Sequence, residues 1–548
     1  MQASSKSAPE AEGVHHQVVQ FRHAVVWPLR LMGSAAQGED FGDLFARQAA
    51  PAWKLVDDEY TGDPAEFQER HYSEFVAFLP PVQRFLYGQG RGRLVAAGYG
   101  ESPVTITRRT DIAKVRITLA PRGEVVVLDV AHVDLYFFFD IPLAMLALEV
   151  VGHDLTLAQA QEVMYQFGRA YPAYWDADGH AGHCPQRVEW LSHSGATLAS
   201  SDYDNKSKYL ETVCRHRAPA IAAHWEYLLS PLVIDHADQP GGLRFRLLEY
   251  NNMPLLTYLA MDDVHRLTRA DRARLALASG SGENATTTFS EPELASLEAR
   301  FGYAPTRESR EGRDWGSIHH TVSGHALVVV GPASNPFFTD GERGYLARFR
   351  HQHFLAFLIA HFHRATLLML SDWLSVTMGR LTPTDAASVG KFRIDMRATL
   401  EVFLRFSHRY WFHDIADQVQ TRDLFNLLRQ RLGLDQLFGE LRQELQDMNQ
   451  YLEGDVARRQ NNSMVRLTVV TTLGLIGTVT TGLLGMNLID WTGHGPATKL
   501  LLFAVFFIPV AFVTFMTVVR SSRLSLLLDR LSDETLSLRE KLRAFRDI

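Results

Sequence analysis

The sequence predicts an α/β domain followed by a long stalk helix and two C-terminal transmembrane helices. Three observations support this: short β-rich runs beside a helix-capping signal, a leucine seam at helical spacing after residue 423, and two uncharged apolar runs near the C-terminus. The chain has 548 residues, 46% of them hydrophobic. This is enough to bury a large core and to form several structural units.

The N-terminal part, residues 1–400, mixes strand and helix signals. "HQVVQFRHAVVWPLRLM" alternates like a strand, and "EVVVLDV", "VDLYFFF" and "MLALEVV" predict three more strands. Thr156 and Gln159 have the spacing of a capping box that opens a helix through about Gly168. A further strand pair is predicted at "LRFRLLEY" and "HALVVVG". Strands followed by capped helices indicate an α/β domain.

The apolar stretch "FLAFLIAHFHRATLLML" is long enough to resemble a membrane span, but it carries His361, His363 and Arg364 at its midpoint. An arginine near the bilayer centre costs at least about 2.5–3.5 kcal/mol. We therefore predict a buried helix of the α/β domain. Histidines two residues apart on a helix point in different directions, so we expect separate core and surface histidines rather than a shared metal site.

Residues 401–463 are predicted to hold a helical region and the stalk helix, which we expect to be continuous from about Asp423. Its apolar seam is Leu434, Leu437, Leu441, Leu445, Met448, Leu452 and Val456. A second face is polar and comprises Glu440, Gln443, Asp447, Gln450, Gly454 and Asn461. The ordinary explanation of such a face is exposure to solvent.

No charged side chain occurs from Leu467 to Leu484 or from Leu500 to Val519. At about 1.5 Å per residue these runs span about 27 and 30 Å, close to the thickness of a hydrocarbon core. We predict spans at 464–487 and 498–519, joined by an extracytoplasmic loop at 488–497, with two buried core helices as the alternative. Arginines flank the outer ends of the pair, so both termini are expected to be cytoplasmic.

Composition narrows the range of possible functions. The net charge is −7, from 55 basic and 62 acidic residues, and no basic run marks the large domain, so we expect no nucleic-acid partner. The two cysteines, Cys184 and Cys214, fit a reducing compartment. No nucleotide motif or catalytic constellation is present in the sequence, and we predict that the protein is not an enzyme.

The polar face of the stalk continues into the first span because no proline interrupts the helix. The residues along this stripe are Asn461, Met464, Leu467, Thr471, Leu475, Thr478 and Gly482. A polar group that faces lipid gains nothing, so the stripe fits several copies of the helix arranged around an axis. Packing of one helix against another is the alternative for the threonines and the glycine.

The stretch "RRQNNSMVRLTVVTTLGLIGTVTTGLLGMN", followed by a short loop, a second span and a tail, resembles the CorA-type divalent metal ion transporter family. Close resemblance covers about residues 458–520. It implies a funnel-shaped homopentamer in the lipid bilayer of a bacterial-type inner membrane, with the stripe lining the pore. Gly485, Met486 and Asn487 match the family's selectivity motif, in which Asn487 would recognise the hydrated cation.

The resemblance further implies passive uptake of a divalent cation, most of all Mg²⁺, with Co²⁺ or Ni²⁺ also accepted, driven by the membrane potential. In a pentamer Glu440 and Asp447 would repeat around the axis, which makes them candidates for gating by cytosolic metal. The alternatives are a Zn²⁺ transporter of the same fold that could be proton-coupled, for which His494 is a hint, and a membrane-anchored sensor or enzyme.

Three features depart from the family. The loop reads "LIDWTGHGP", with Asp490 as its one carboxylate. The cytosolic part is longer than usual, which predicts an added subdomain at about 179–344. Residues 520–548 predict a cytoplasmic amphipathic helix.

A regulatory Zn²⁺ site is suggested by His180, His183 and Cys184, which lie beside Asp176 and Asp178 in the sequence. The alternative is an exposed polar loop.

Overall fold

The structure is a computed structural model that describes residues 17–32, 41–49, 51–56, 69–87, 103–120, 122–237, 243–248, 252–281, 289–303, 318–382, 385–486 and 495–519. The chain divides into two compact units, Met1–Leu445 and Gln446–Ile548. Our predicted helix at 520–548 and most of the loop at 488–497 lie outside the described residues.

The first unit contains one large sheet. Its strands are β1 (Gln17–Met32), β2 (Trp53–Leu55), β3 (Val104–Arg109), β4 (Ile112–Thr118), β5 (Val125–Phe138), β6 (Leu143–Thr156), β7 (Arg187–Ser192), β8 (Thr197–Ser200), β9 (Val233–Ile234), β10 (Arg244–Leu247), β11 (Leu255–Met261), β12 (Gly302–Tyr303), β13 (His319–Val322) and β14 (Ala326–Pro332). The main strand order is β12-β13-β14-β11-β1-β6-β5-β4-β7-β8. Segment 179–344 contributes β7–β14 to this same sheet.

The helices of the first unit pack on this sheet or follow it along the chain. They are α1 (Phe41–Gln48), α2 (Glu69–Ala77), α3 (Pro80–Tyr87), α4 (Leu157–Gln166), α5 (Lys206–His216), α6 (Ala223–Leu229), α7 (Arg269–Leu277), α8 (Glu291–Phe301), α9 (Pro336–Thr339), α10 (Tyr345–Arg348), α11 (Phe354–Gly379), α12 (Ala386–Arg409) and α13 (Val419–Leu432). A strand-and-helix domain before the long helix is what the sequence predicted.

The opening strand and the capped helix are confirmed. β1 runs from Gln17 to Met32 beside β6. At the start of α4, the Gln159 backbone N–H donates to Thr156 Oγ1 at 3.1 Å, and the Thr156 N–H donates to Gln159 Oε1 at 3.0 Å. The two bonds satisfy backbone donors that a helix terminus otherwise leaves without partners.

Two of the predicted strands are one strand, which corrects the prediction. β5 contains both "EVVVLDV" and "VDLYFFF", with a register shift between Val130 and His132. Before the shift the even-numbered Val126 and Leu128 belong to the hydrophobic core, whereas after it, where every residue from 133 to 138 is buried, the odd-numbered residues belong to that core. An extra residue in a bulge moves the side-chain alternation by one position, so a single strand has the sequence pattern of two.

The predicted strands β10 and β14 both exist, but they do not pair with each other. β10 pairs with β1 and β9, whereas β14 lies between β11 and β13. Most pairings in the sheet are antiparallel, and β9–β10 and β11–β14 are parallel. Strand partners depend on residues far apart in the chain, which the local pattern of a strand does not specify.

The histidine-containing apolar segment is a core helix, as predicted. The helical stretch Tyr345–Gly379 is long and apolar enough to cross a membrane, but its apolar 18-residue window is 72% buried. His353, His361 and His363 are at most 5% exposed. In the part of the chain that the structure describes, these histidines form no group of converging metal ligands.

The predicted single helix from Asp423 is interrupted at Gly433, which corrects that prediction. α13 ends at Leu432, and Gly433 has φ of +64°, a left-handed conformation that glycine adopts without a Cβ clash. α14 (Leu434–Gly485) then continues for 52 residues. The leucine seam is confirmed at its core positions, because Leu434, Leu441, Leu445 and Leu452 are buried. α15 (Pro496–Val519) follows.

Candidate functional site

The stripe on α14 is exposed along its described length. Met464, Leu467 and Leu475 are 69%, 65% and 59% exposed. Thr471, Thr478 and Gly482, as well as Gly485 and Met486, are also exposed. The side chain of Asn461 and the whole of Asn487 lie outside the described residues. A row of large apolar side chains on an exposed face requires a cover other than water, either lipid or another protein surface.

The opposite face of the same helix is buried. Ile476 is 5% exposed and Thr480 is 0% exposed. At about 100° per residue the stripe from Met464 to Gly485 occupies an arc of about 80°, and these two residues lie about 140–180° from its centre. The helix therefore has two distinct sides, and the predicted stripe is on the side that the described part of the chain leaves uncovered.

The threonines of α14 present oxygen atoms in a defined way. Thr478 donates its hydroxyl hydrogen to the Gly474 carbonyl at 2.8 Å, and Thr480 donates to the Ile476 carbonyl at 2.7 Å. A hydroxyl whose hydrogen is used in this way keeps its oxygen lone pairs as acceptors. On the exposed side, Thr478 therefore offers an acceptor to a donor such as the hydrogen of a metal-bound water.

Glycines on α14 have no packing partner within the described chain. A Cβ added at Gly474, Gly477 or Gly482, all inside the helix, would meet nothing within 4 Å. Because an interior helical glycine costs about 1 kcal/mol relative to alanine, its retention needs a reason. Close approach of a second helix, or room for a passing ligand, is such a reason.

α15 is apolar and exposed. The segment Pro496–Val513 is long and apolar enough to span a membrane, and none of it is buried. Leu500, Leu501, Ile508, Phe512 and Val513 are each at least 59% exposed. Lipid is a favourable environment for such a surface, in contrast to the buried stretch Tyr345–Gly379.

The two regulatory candidates lie on the exposed side of the stalk. Glu440 and Asp447 are seven residues apart, close to two helical turns, and both are exposed, whereas Leu441 and Leu445 are 3% and 2% exposed. Glu440 Oε1 accepts a hydrogen bond of 2.9 Å from Gln436 Nε2. Both carboxylates can thus face a neighbouring chain or solvent.

The predicted zinc residues are divided between two environments. Ligand atoms of Asp176, Asp178 and His180 lie within 4.8 Å of one another, and all three residues are exposed. His183 instead packs against the rings of Tyr165 and Tyr174. Cys184 is 2% exposed, and burial raises the pKa of its thiol to about 12, with nearby Arg169 opposing the rise. A thiol of that pKa remains protonated at neutral pH, which does not favour metal binding.

One feature of the first unit was missed by the sequence analysis. A cavity of about 870 Å³ is lined by β3, β5, β6 and helices above them, with charged side chains at one end. Asp134 and Glu149 were available as signals, because each is a carboxylate inside an apolar strand run. Their convergence depended on strand pairing, which the sequence pattern did not reveal.

The second unit and the domain before it define a class of protein. A strand-and-helix domain precedes a long helix whose apolar half has one exposed stripe, and a second exposed apolar helix follows. These features are typical of a membrane protein with a large aqueous domain, and they make the apolar half of α14 and α15 candidate spans.

Comparison with known proteins specifies the family. Residues 377–519 match the family model described as "CorA-like Mg2+ transporter protein", so this C-terminal region is similar to that family of transporters. No curated protein matches the chain. The complete structure of the CorA magnesium transporter from Methanocaldococcus jannaschii is similar at 11% identity over 50% of this chain and 94% of that one. The TM-score of 0.19 is too low to establish a shared overall fold.

Proposed function

We propose that the protein is a passive channel for divalent cations, most of all Mg²⁺, with Co²⁺ and Ni²⁺ as further substrates. It would lie in a bacterial-type inner membrane with both termini in the cytoplasm. The observation that carries the proposal is the exposed stripe of α14, which lies within the region that matches the CorA-like family. A membrane potential of about 100 mV supplies roughly 4.6 kcal/mol for entry of a dication.

The proposal requires several copies of the chain. One copy provides a single stripe, and two spans cannot enclose a water-filled path. A homopentamer with α14 facing the axis would cover the exposed leucines and bring the Thr478 hydroxyls into one ring. The glycines without packing partners would allow the helices to approach or would widen the path.

Selection is assigned to Asn487 and passage to the stripe below it. Mg²⁺ gives up its waters reluctantly, so a ring of uncharged amides can select the hydrated ion by hydrogen bonds without holding it too tightly. Gly485 and Met486 would shape the turn that places this ring. Met464, Leu467 and Leu475 can exclude water when the helices close, which stops a hydrated ion without a charged gate.

Gating by cytosolic metal is assigned to the stalk. Repeated copies of Glu440 and Asp447 would repel one another unless a dication lay between them. Mg²⁺ inside the cell would thus hold neighbouring stalks together in a closed state, and its loss would release them.

The experiment is divalent flux through the purified full-length protein in liposomes, measured for Mg²⁺, Co²⁺, Ni²⁺ and Zn²⁺. Asn487→Ala should retain assembly and lose most flux.

Thr478→Val and Thr480→Val form a matched pair, because each removes a hydroxyl from one face of the same helix at nearly constant shape. If Thr478→Val removes about 1.4 kcal/mol of hydrogen bonding to the waters of the passing ion, the barrier rises by that amount and flux falls about tenfold.

We expect Thr480→Val to change flux less than twofold, because its side chain is buried on the opposite face. Equal effects of the two threonine substitutions would contradict the assignment of the stripe as the path. Preferred flux of Zn²⁺ would favour the zinc transporter. Absence of any divalent flux from correctly assembled protein would favour a membrane-anchored sensor or enzyme.

A further inference from the structure

The cavity of about 870 Å³ in the first unit has a floor formed by one face of the sheet. On β5 the lining residues alternate along the strand and are His132, Asp134, Tyr136 and Phe138. These even-numbered residues face the cavity because the bulge before His132 has shifted the alternation of the strand. The bulge therefore places this set of side chains in the cavity and the odd-numbered apolar residues in the core.

The floor changes from charged to aromatic along its length. Arg108 of β3 lies opposite Asp134, and Glu149 of β6 lies opposite His132. At the other end Ile106 lies opposite Tyr136, and Val104 lies opposite Phe138. The same polarity change thus occurs on neighbouring strands, which gives the cavity one polar end and one apolar end.

The carboxylates at the polar end are already paired. Arg108 donates to the two carboxylate oxygens of Asp134 at 2.7 and 2.8 Å. Glu149 contacts Arg22 and His132, each at 2.7 Å. A site whose carboxylates are each paired with a cationic partner has little attraction for a bare metal ion or a multivalent anion. It can still exchange hydrogen bonds with a ligand that carries both donors and acceptors.

The roof of the cavity is aromatic and includes an irregular helical turn. Phe85 and Tyr87 come from α3, and Phe354 and Leu358 come from α11. Between α10 and α11, residues Phe349–His353 form a π-helical turn, and three of them line the cavity. Such turns are rare and occur frequently at functional sites. His351 also pairs with Glu74 at this roof.

We propose that this cavity binds a neutral or zwitterionic small molecule with an aromatic body, of about amino-acid to nucleoside size. The ring would lie against the aromatic lining beside Tyr136 and Phe354, and the polar head would face Asp134 and its neighbours. The volume falls in the range of about 300–1,000 Å³ that is usual for small-molecule sites. This site is separate from the proposed ion path, so the inference does not depend on transport.

Tethering of small fragments tests the proposal, because the captured fragments show which chemistry the cavity accepts. Cys214 is exposed and is first replaced by serine, whereas Cys184 is buried. Ala147→Cys then places a thiol in the cavity, opposite Asp134. The full-length protein is incubated with a panel of disulfide fragments: a neutral benzamide, a phenylalanine-like zwitterion, a benzenesulfonate and a plain alkyl chain. Each captured fragment is measured by intact-protein mass.

The matched control is Val127→Cys, which is on the same strand as His132 but is 47% exposed and does not line the cavity. We expect Ala147→Cys to capture the neutral and zwitterionic aromatic fragments about tenfold more than the alkyl or sulfonate fragments. Val127→Cys should show no such preference. Because Ala147 is 6% exposed, Ile106→Cys serves as a second cavity position if Ala147→Cys lowers the melting temperature.

Three results would overturn the proposal. One is the same fragment preference at the cavity and control positions. Another is a preference for the alkyl or sulfonate fragment in the cavity. The third is a cavity cysteine that reacts with no fragment in the folded protein and reacts fully after denaturation, because this would show that the cavity is closed to ligands.

Discussion

Acidification should destabilise the first unit through its buried histidines, and His363 allows the effect to be isolated. Its side chain is 0% exposed, its Nε2 donates to the Tyr410 carbonyl at 2.6 Å, and its ring lies 4.9 Å from the ring of Trp411. Burial lowers its pKa from 6.5 to about 3, against the opposing effect of the hydrogen bond. The perturbation we consider is His363→Gln, which retains a donor and cannot be protonated.

The sign and size follow from this pKa. The folded state holds the neutral imidazole, whereas the unfolded chain binds a proton below pH 6.5, so the stability is fully present above pH 6.5 and is lost as the pH falls from 6.5 towards 3. Each unit of pH in this window costs about 1.4 kcal/mol for one histidine. At pH 5 the loss attributable to His363 is therefore about 2 kcal/mol.

The assay is thermal unfolding of the full-length protein in detergent from pH 7.5 to pH 4.5, followed by the fluorescence of Trp411 and the other tryptophans. We expect His363→Gln to be less stable than the wild type at pH 7.5, because an amide packs less well among aromatic rings, and to lose less stability on acidification. Exposed His193→Gln is the control and should follow the wild-type profile. Parallel profiles for His363→Gln and the wild type would refute the reasoning, because His363 would then bind protons equally in both states.

Two further predictions concern metal. Replacement of Glu440 and Asp447 by alanine should weaken the inhibition of flux by internal Mg²⁺, since the repeated carboxylates that attract the ion are removed; an unchanged inhibition curve would place the sensor elsewhere. His183→Ala should leave the amount of zinc bound by the purified protein unchanged, because the converging ligand atoms belong to Asp176, Asp178 and His180. A lower zinc content in His183→Ala would show that His183 is a zinc ligand after all.

The features that could be predicted from the sequence are those that depend on neighbouring residues. The capping box at Thr156, the core helix containing His363 and the leucine seam around Leu441 all follow from spacings of a few residues within one element. The stripe on α14 is of the same kind, since helical geometry places residues three and four apart on one face. The selectivity motif ending at Asn487 was visible as a short local pattern, and its role stays a prediction.

The features that only the tertiary structure decided involve residues far apart in the chain. A bulge joins two apparent strands into β5, and β10 and β14 have different partners from the pair we expected. The cavity is lined by residues that range along the chain from Ala24 to Arg409. Local hydrophobic patterns determine which face of an element is buried, but many partners can cover the same face. The sequence by itself therefore determined several single elements, the apolar helices and the stripe. Long-range packing decided the sheet order and the aromatic cavity, because complementary packing between distant segments selects one partner among several with similar local patterns.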